Sequence, residues 1–122
     1  MLNKNVWLCF VFILVNLLVT AQSDDLQFRA VSPQGGITYG SVKTIAEDAK
    51  GFIWFGTEHG LFRYNTREMQ KYIQQPDDPH SLPADNVLHI FNDQSGKLWI
   101  STFGRLCFFD EENQNFVSLN LK

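Results

Sequence analysis

Three observations predict an all-β fold built from a repeated four-stranded unit. Residues 42–64 reappear 45 positions later, at 87–109, with seven identities in 23 positions. Both copies carry Asp and Gly three apart, the spacing of a tight turn in which Asp accepts local backbone bonds and Gly supplies a positive φ. Between the turns lie short runs rich in β-branched and aromatic residues, the composition of strands. The 122-residue chain is 44% hydrophobic and 14% aromatic, which excludes a wholly disordered chain. A formal net charge of −3 argues against a protein that coats nucleic acid, because no cationic surface is left to neutralise phosphates. Two cysteines, Cys9 and Cys107, do not make a disulfide framework.

The first element is an address. Lys4 is followed by the apolar run Val6–Val19, broken only by Asn16, and then by Thr20, Ala21 and Gln22. A cationic start, a short apolar core and a small-residue exit predict a secretory signal peptide over 1–21, cleaved after Ala21. The alternative is an uncleaved anchor, but spanning a bilayer takes about 20 apolar residues and this run is shorter. No Cys follows the run, so a lipoprotein is not expected. After cleavage Cys107 stands alone, and it reads as a small buried apolar residue.

A short segment, 22–27, leads into the repeats. In the first, Val42–Asp48 reads as a strand, Asp48–Gly51 as a turn and Phe52–Thr57 as a strand. Glu58–Gly60 turns again, Leu61–Tyr64 is a third strand, Asn65–Glu68 a third turn and Met69–Ile73 a fourth strand. The second copy follows with turns at Asp93–Gly96 and Asp110–Asn113. Between them, Gln75–Pro83 holds three prolines and is expected to be irregular and exposed. Phe28, Tyr72 and Phe116 fall 44 apart, which phases the units as 28–71 and 72–115, with 116–122 opening a truncated third. An unfinished unit without a cap points to a fragment of a longer array.

Four short strands per 40–45 residues describe a β-propeller blade. A blade is sandwiched between neighbours, so both faces are buried, which accounts for strands such as FIWFGT and LWISTF that lack clean alternation. Trp54 and Trp99 are then fillers between blades. A β-sandwich would not repeat one turn chemistry at a fixed period, and a β-helix has a shorter period.

The string V-x-x-I-x-x-D-x-x-G-x-x-W-x-x-T-x-x-x-L, present as VKTIAEDAKGFIWFGTEHGL and VLHIFNDQSGKLWISTFGRL, resembles the two-component-regulator propeller repeat. The preceding linkers, GITYGSV and DDPHSLPADNV, also resemble that family, and the likeness spans Phe28–Leu119. The second copy departs from the first: Ser101 replaces Gly56, and Arg105 replaces Gly60 with the glycine moved to 104. The resemblance implies the N-terminal part of a periplasmic, ligand-sensing propeller in a hybrid two-component histidine kinase. In that family the array precedes an immunoglobulin-like domain, a membrane span, the kinase, a receiver and a DNA-binding region, and relatives respond to carbohydrate fragments. Implied partners are the remaining blades, the downstream kinase and an oligosaccharide; nucleic acid is not expected to touch this segment. The alternatives are a secreted propeller fragment without activity of its own and part of a propeller enzyme.

Asp48, Gly51, Trp54 and Thr57, with Asp93, Gly96, Trp99 and Thr102, are repeat positions and are read as structural. Asp48 and Asp93 sit one blade apart, and each starts a turn, so they do not form an acid–base pair. His59, His80 and His89 have no metal-ligand spacing. Asp77–Asp78 and Asp110–Glu112 read as solvated loops. No nucleophile motif is present, so catalysis and a cofactor are not expected. Tyr39 and Phe103 are the rings least constrained by the repeat and are the candidates for stacking on a sugar.

Overall fold

The computed structural model describes residues 3–18, 27–28 and 41–120. The expected cleavage point and Tyr39 lie outside the described residues. The leading apolar run is a helix, α1 (Lys4–Leu18), within a unit of its own, Met1–Ala30. Among the described residues no helix is long and apolar enough to cross a membrane.

The rest is β-structure in two four-stranded antiparallel sheets. The first is β1 (Thr44–Glu47), β2 (Ile53–Thr57), β3 (Gly60–Tyr64) and β4 (Met69–Tyr72), paired in chain order. The second is β5 (Val87–Asn92), β6 (Leu98–Thr102), β7 (Arg105–Asp110) and β8 (Asn115–Leu119) in the same order. These are the two expected blades of an incomplete propeller.

The turn residues do what their chemistry requires. Gly51 and Gly96 adopt φ of 83° and 82°, a region that side chains with a Cβ rarely occupy. Both β2–β3 and β6–β7 are two-residue hairpins, closed at Thr57↔Gly60 and Thr102↔Arg105. Each is fastened by the Thr hydroxyl, which donates to the Gly60 carbonyl at 2.9 Å and to the Arg105 carbonyl at 3.2 Å. The displaced glycine of the second copy, Gly104, takes φ 78° inside the hairpin, so the turn survives the change.

The fourth strands show where the period and the register part. Leu61 faces Tyr72, but Leu106 faces Leu119, because the β7–β8 hairpin has one more pair, Asp110↔Asn115, before a turn of the same four residues. Tyr72 and Phe116, equal in the 44-residue spacing, therefore point to opposite sides of their sheets. They meet across the interface, ring centroids 5.3 Å apart. Residues 116–119, which the period places at the head of a third unit, pair with β7 in the second sheet.

The core lies between the sheets, where β1 and β2 pack on β5. Trp54 is fully buried there, stacked on Tyr72 at 5.7 Å and set edge-on to Phe109 at 4.9 Å. Val87, Ile90, Ile100, Cys107 and Phe116 face it from the second sheet. The linker contributes too: Leu82, inside the stretch read as exposed, is 0% exposed, because the prolines on either side carry the chain back over the core. The Thr44 hydroxyl accepts from the Ile90 amide at 3.2 Å, and the Asn92 side-chain amide donates to the Glu47 carbonyl.

At Gly56 the backbone of one sheet lies close against Val87 of the other. A Cβ there would lie 2.5 Å from Thr44 Cγ2 and 2.6 Å from Val87 Cγ1, inside van der Waals contact. Ser101, its repeat counterpart, is partly exposed on the outward face, so a side chain is tolerated there. Gly56→Ala is therefore expected to destabilise the chain by about 1–3 kcal/mol through overpacking. Ser101→Ala should be nearly neutral in the same denaturant titration; equal effects would place the close approach elsewhere.

Candidate functional site

The repeat signature resolves into one hydrogen-bonded unit. Asp48 Oδ1 accepts from the amides of Lys50 (2.9 Å) and Phe52 (3.0 Å), and Oδ2 accepts from Trp54 Nε1 at 2.7 Å. Asp93 repeats this with Ser95 (2.9 Å), Lys97 (3.0 Å) and Trp99 Nε1 (2.9 Å). The carboxylate closes the turn and orients the indole; Trp54 fills the space between the blades, and Trp99 stands half-buried on the outward face of the second. The Ser95 hydroxyl and then the Trp99 indole hold the Asp93 carboxyl well below the usual carboxylate range. Asp48, Gly51, Trp54, Thr57 and their four counterparts thus all take part in turns, hairpins or inter-blade packing.

Beside Trp54 stands Arg63, a residue that repeat reasoning passes over because its counterpart is Phe108. Its guanidinium is 6% exposed and lies over the Phe52 ring, 3.7 Å from the centroid. It reaches the second blade, pairing with Glu111 at 3.0 Å and donating to Gln114 Oε1 at 3.1 Å. Lys50 also pairs with Glu111, at 2.9 Å. Burial pushes the Glu111 carboxyl up, but hydrogen bonds from Lys50 and Arg63 and the Arg63 charge bring it below its ordinary value. The extra pair Asp110↔Asn115 lengthens this hairpin and places Glu111 at its tip, so the acidic cluster at 110–112 is not simply solvated. The clasp borders a cleft of about 420 Å³ between the two Asp-x-x-Gly turns and this turn.

The opposite end of the blades gathers the hairpin tips and the linker. The Gly60 amide donates to the Asp85 carbonyl at 2.8 Å, and the Phe103 amide to the Asn86 carbonyl at 3.0 Å. Lys43 bridges Asn86 (2.9 Å) and Glu58 (3.0 Å). Phe103 stands at a hairpin tip with 73% of its surface exposed. Amide, carboxylate, ammonium and an exposed ring on one rim can recognise a hydroxyl-rich ligand through hydrogen bonds and ring stacking.

Elsewhere, His59, His80 and His89 are exposed and belong to different elements. Among the described residues no three His, Cys, Asp or Glu side chains cluster to hold a metal ion. Cys107 is buried, and burial pushes its thiol up to about 12.

Residues 36–59 and 81–104 both match the family described as two component regulator propeller. One match falls on each blade. A relative named histidine kinase P4, from Formosa agariphila, is 29% identical over 82 residues, covering 67% of this chain and 6% of its own. The extracellular domain of BT4673 from B. thetaiotaomicron, described as a hybrid two component system, is similar over 80% of this chain at TM-score 0.65 and 28% identity. The corresponding domain of BT3049 shares the fold at TM-score 0.65 and 24% identity over 79% of this chain. The chain covers 14% and 13% of the length of those two solved chains.

Two expectations follow from the geometry. Asp48→Ala leaves inter-blade donors unpaired and should cost about 1–3 kcal/mol, while Asp93→Ala, on the outward face, should cost less. Because the Glu111 carboxyl is lowered on folding, the stability it contributes is complete above its unfolded value, near 4.5, and is lost as pH falls through the lower folded value. The melting temperature should therefore drop as pH falls below 4.5, and Glu111→Gln should flatten that slope; an unchanged slope would remove Glu111 from the inter-blade clasp.

Proposed function

We propose that this chain is the N-terminal part of an exported, periplasmic ligand-sensing propeller, and that the protein it belongs to is a hybrid two-component sensor that controls transcription in response to carbohydrate. The observation that carries this reading is the likeness of both blades, over 80% of the chain, to the extracellular domain of a protein described as a hybrid two component system. The helical apolar segment ahead of the blades supports export. The blades themselves supply a binding scaffold without catalysis, and the downstream kinase and remaining blades are the partners. The rim of hairpin tips and linker is the part that contributes to ligand binding, with Phe103 as a stacking ring; Tyr39, outside the described residues, is a second candidate from the sequence.

The test is made in the native host with an antibody against residues 41–120. A large membrane-bound band supports the sensor reading, and a single small soluble band overturns it. In the full-length protein, Phe103→Ala should reduce induction by oligosaccharides several-fold at unchanged protein level. Unchanged induction would remove Phe103 from the ligand rim while leaving the sensor reading to the immunoblot.

A further inference from the structure

The outward face of the second blade carries the same materials as the buried face of the first, in a different order. At the interface, Arg63 lies over Phe52 beside Trp54. Shifted by 45, these positions are Phe108, Lys97 and Trp99: the cation and the ring have exchanged places. The contact is nevertheless kept, because Lys97 Nζ sits 4.3 Å from the Phe108 centroid and 5.8 Å from that of Trp99. Phe91 extends the patch, stacked on Trp99 at 6.4 Å and still 52% exposed. Both blades thus present a cation held flat on an aromatic ring next to the signature Trp, on the face that points along the array.

In the first blade that cation is met by Glu111 from the β7–β8 turn of the next. Lys97 is exposed and, among the described residues, forms no ion pair, although the Asp110 carboxyl of its own blade feels its charge. We propose that the Phe91–Trp99–Phe108 face with Lys97 seats a further four-stranded blade whose third-to-fourth-strand turn carries a carboxylate, which pairs with Lys97 as Glu111 pairs with Arg63. The inference rests on the propeller reading and goes beyond it by naming the charge the next blade must bring. It continues the existing interface by one repeat, and the charge is complementary. A second copy of this chain is a poorer occupant: its first blade offers the Asn65–Glu68 turn on a hairpin one pair shorter, with Thr66 at the Glu111 position, Arg67 beside it and its carboxylate, Glu68, at the far end against β4.

The direct test joins a second copy of residues 76–119 after Lys122. Residues 120–122 then match the three-residue step that Ile73–Gln75 makes from the first blade. Lys97→Arg in the added copy keeps its peptides distinguishable. Acetic anhydride labelling of the original Lys97, read by mass spectrometry, should slow roughly fivefold relative to the 122-residue chain. Glu111→Gln in the added copy alone should restore most of the rate. Equal labelling with and without the added blade, or equal protection with Gln, overturns the proposal. Concentration-dependent dimers of the unextended chain that protect Lys97 would also overturn it, in favour of a second copy.

A second measurement uses the existing interface, in case the extended chain does not fold. Phe52→Lys with Arg63→Phe gives the first blade the arrangement of the second. In that double variant Glu111→Gln should lower the melting temperature as much as in the wild type, and by more than in Arg63→Phe alone. If the double variant is no more sensitive to Glu111→Gln than the single one, a lysine in this position does not seat the carboxylate.

Discussion

The bond from the indole of Trp54 to the carboxylate of Asp48 organises everything else in these blades. The carboxylate already holds two backbone amides of the β1–β2 turn, so the turn, the strand register and the indole's orientation are set by one side chain. An indole N–H buried without an acceptor would be costly. With one, the ring becomes a large apolar plate that can be wholly buried. The next sheet is built around that plate: Phe109 meets it at an angle and Val87 approaches beside it over Gly56, while Tyr72 of the plate's own sheet stacks on it.

This local origin explains what could be read from the sequence. Asp, Gly, Trp and Thr interact within nine residues of one another, so their spacing is the interaction, and a repeat makes it visible twice. Contacts between blades leave no such trace. Arg63 and Glu111 are 48 positions apart and have no counterparts of the same type in the other copy. Leu82 sits among prolines and polar residues, and nothing local separates it from an exposed loop position. The extra pair of the β7–β8 hairpin also slips past a period count, because strand β8 is apolar on either phase. At the rim, Phe103 stands exposed at a hairpin tip. The Lys43–Glu58–Asn86 cluster beside it depends on how linker and hairpin meet.

The interface has two chemically different ends. At one, charge fastens the blades: Asp48 and Glu111 flank the Arg63 guanidinium, which has almost no contact with water, and Lys50 pairs with Glu111 from outside. Such a buried cation is stable only because carboxylates and ring faces replace its hydration. That makes the clasp sensitive to loss of any member and selective for a neighbour with a carboxylate in the right turn. Middle positions, by contrast, ask only for apolar volume.

At the other end the linker is fastened by backbone groups. Gly60 and Phe103 donate their amides to the carbonyls of Asp85 and Asn86, and the Gln74 amide donates to Asp85 Oδ1 at 2.6 Å. Main-chain bonds constrain the path of the chain but hardly constrain the side chains at the tips. Glu58, His59 and Phe103 can therefore change without disturbing the turns, the indole plates or the charged clasp. A propeller that senses ligands needs this separation, with recognition carried by replaceable residues on a rim and the geometry of the rim fixed by groups that every residue possesses.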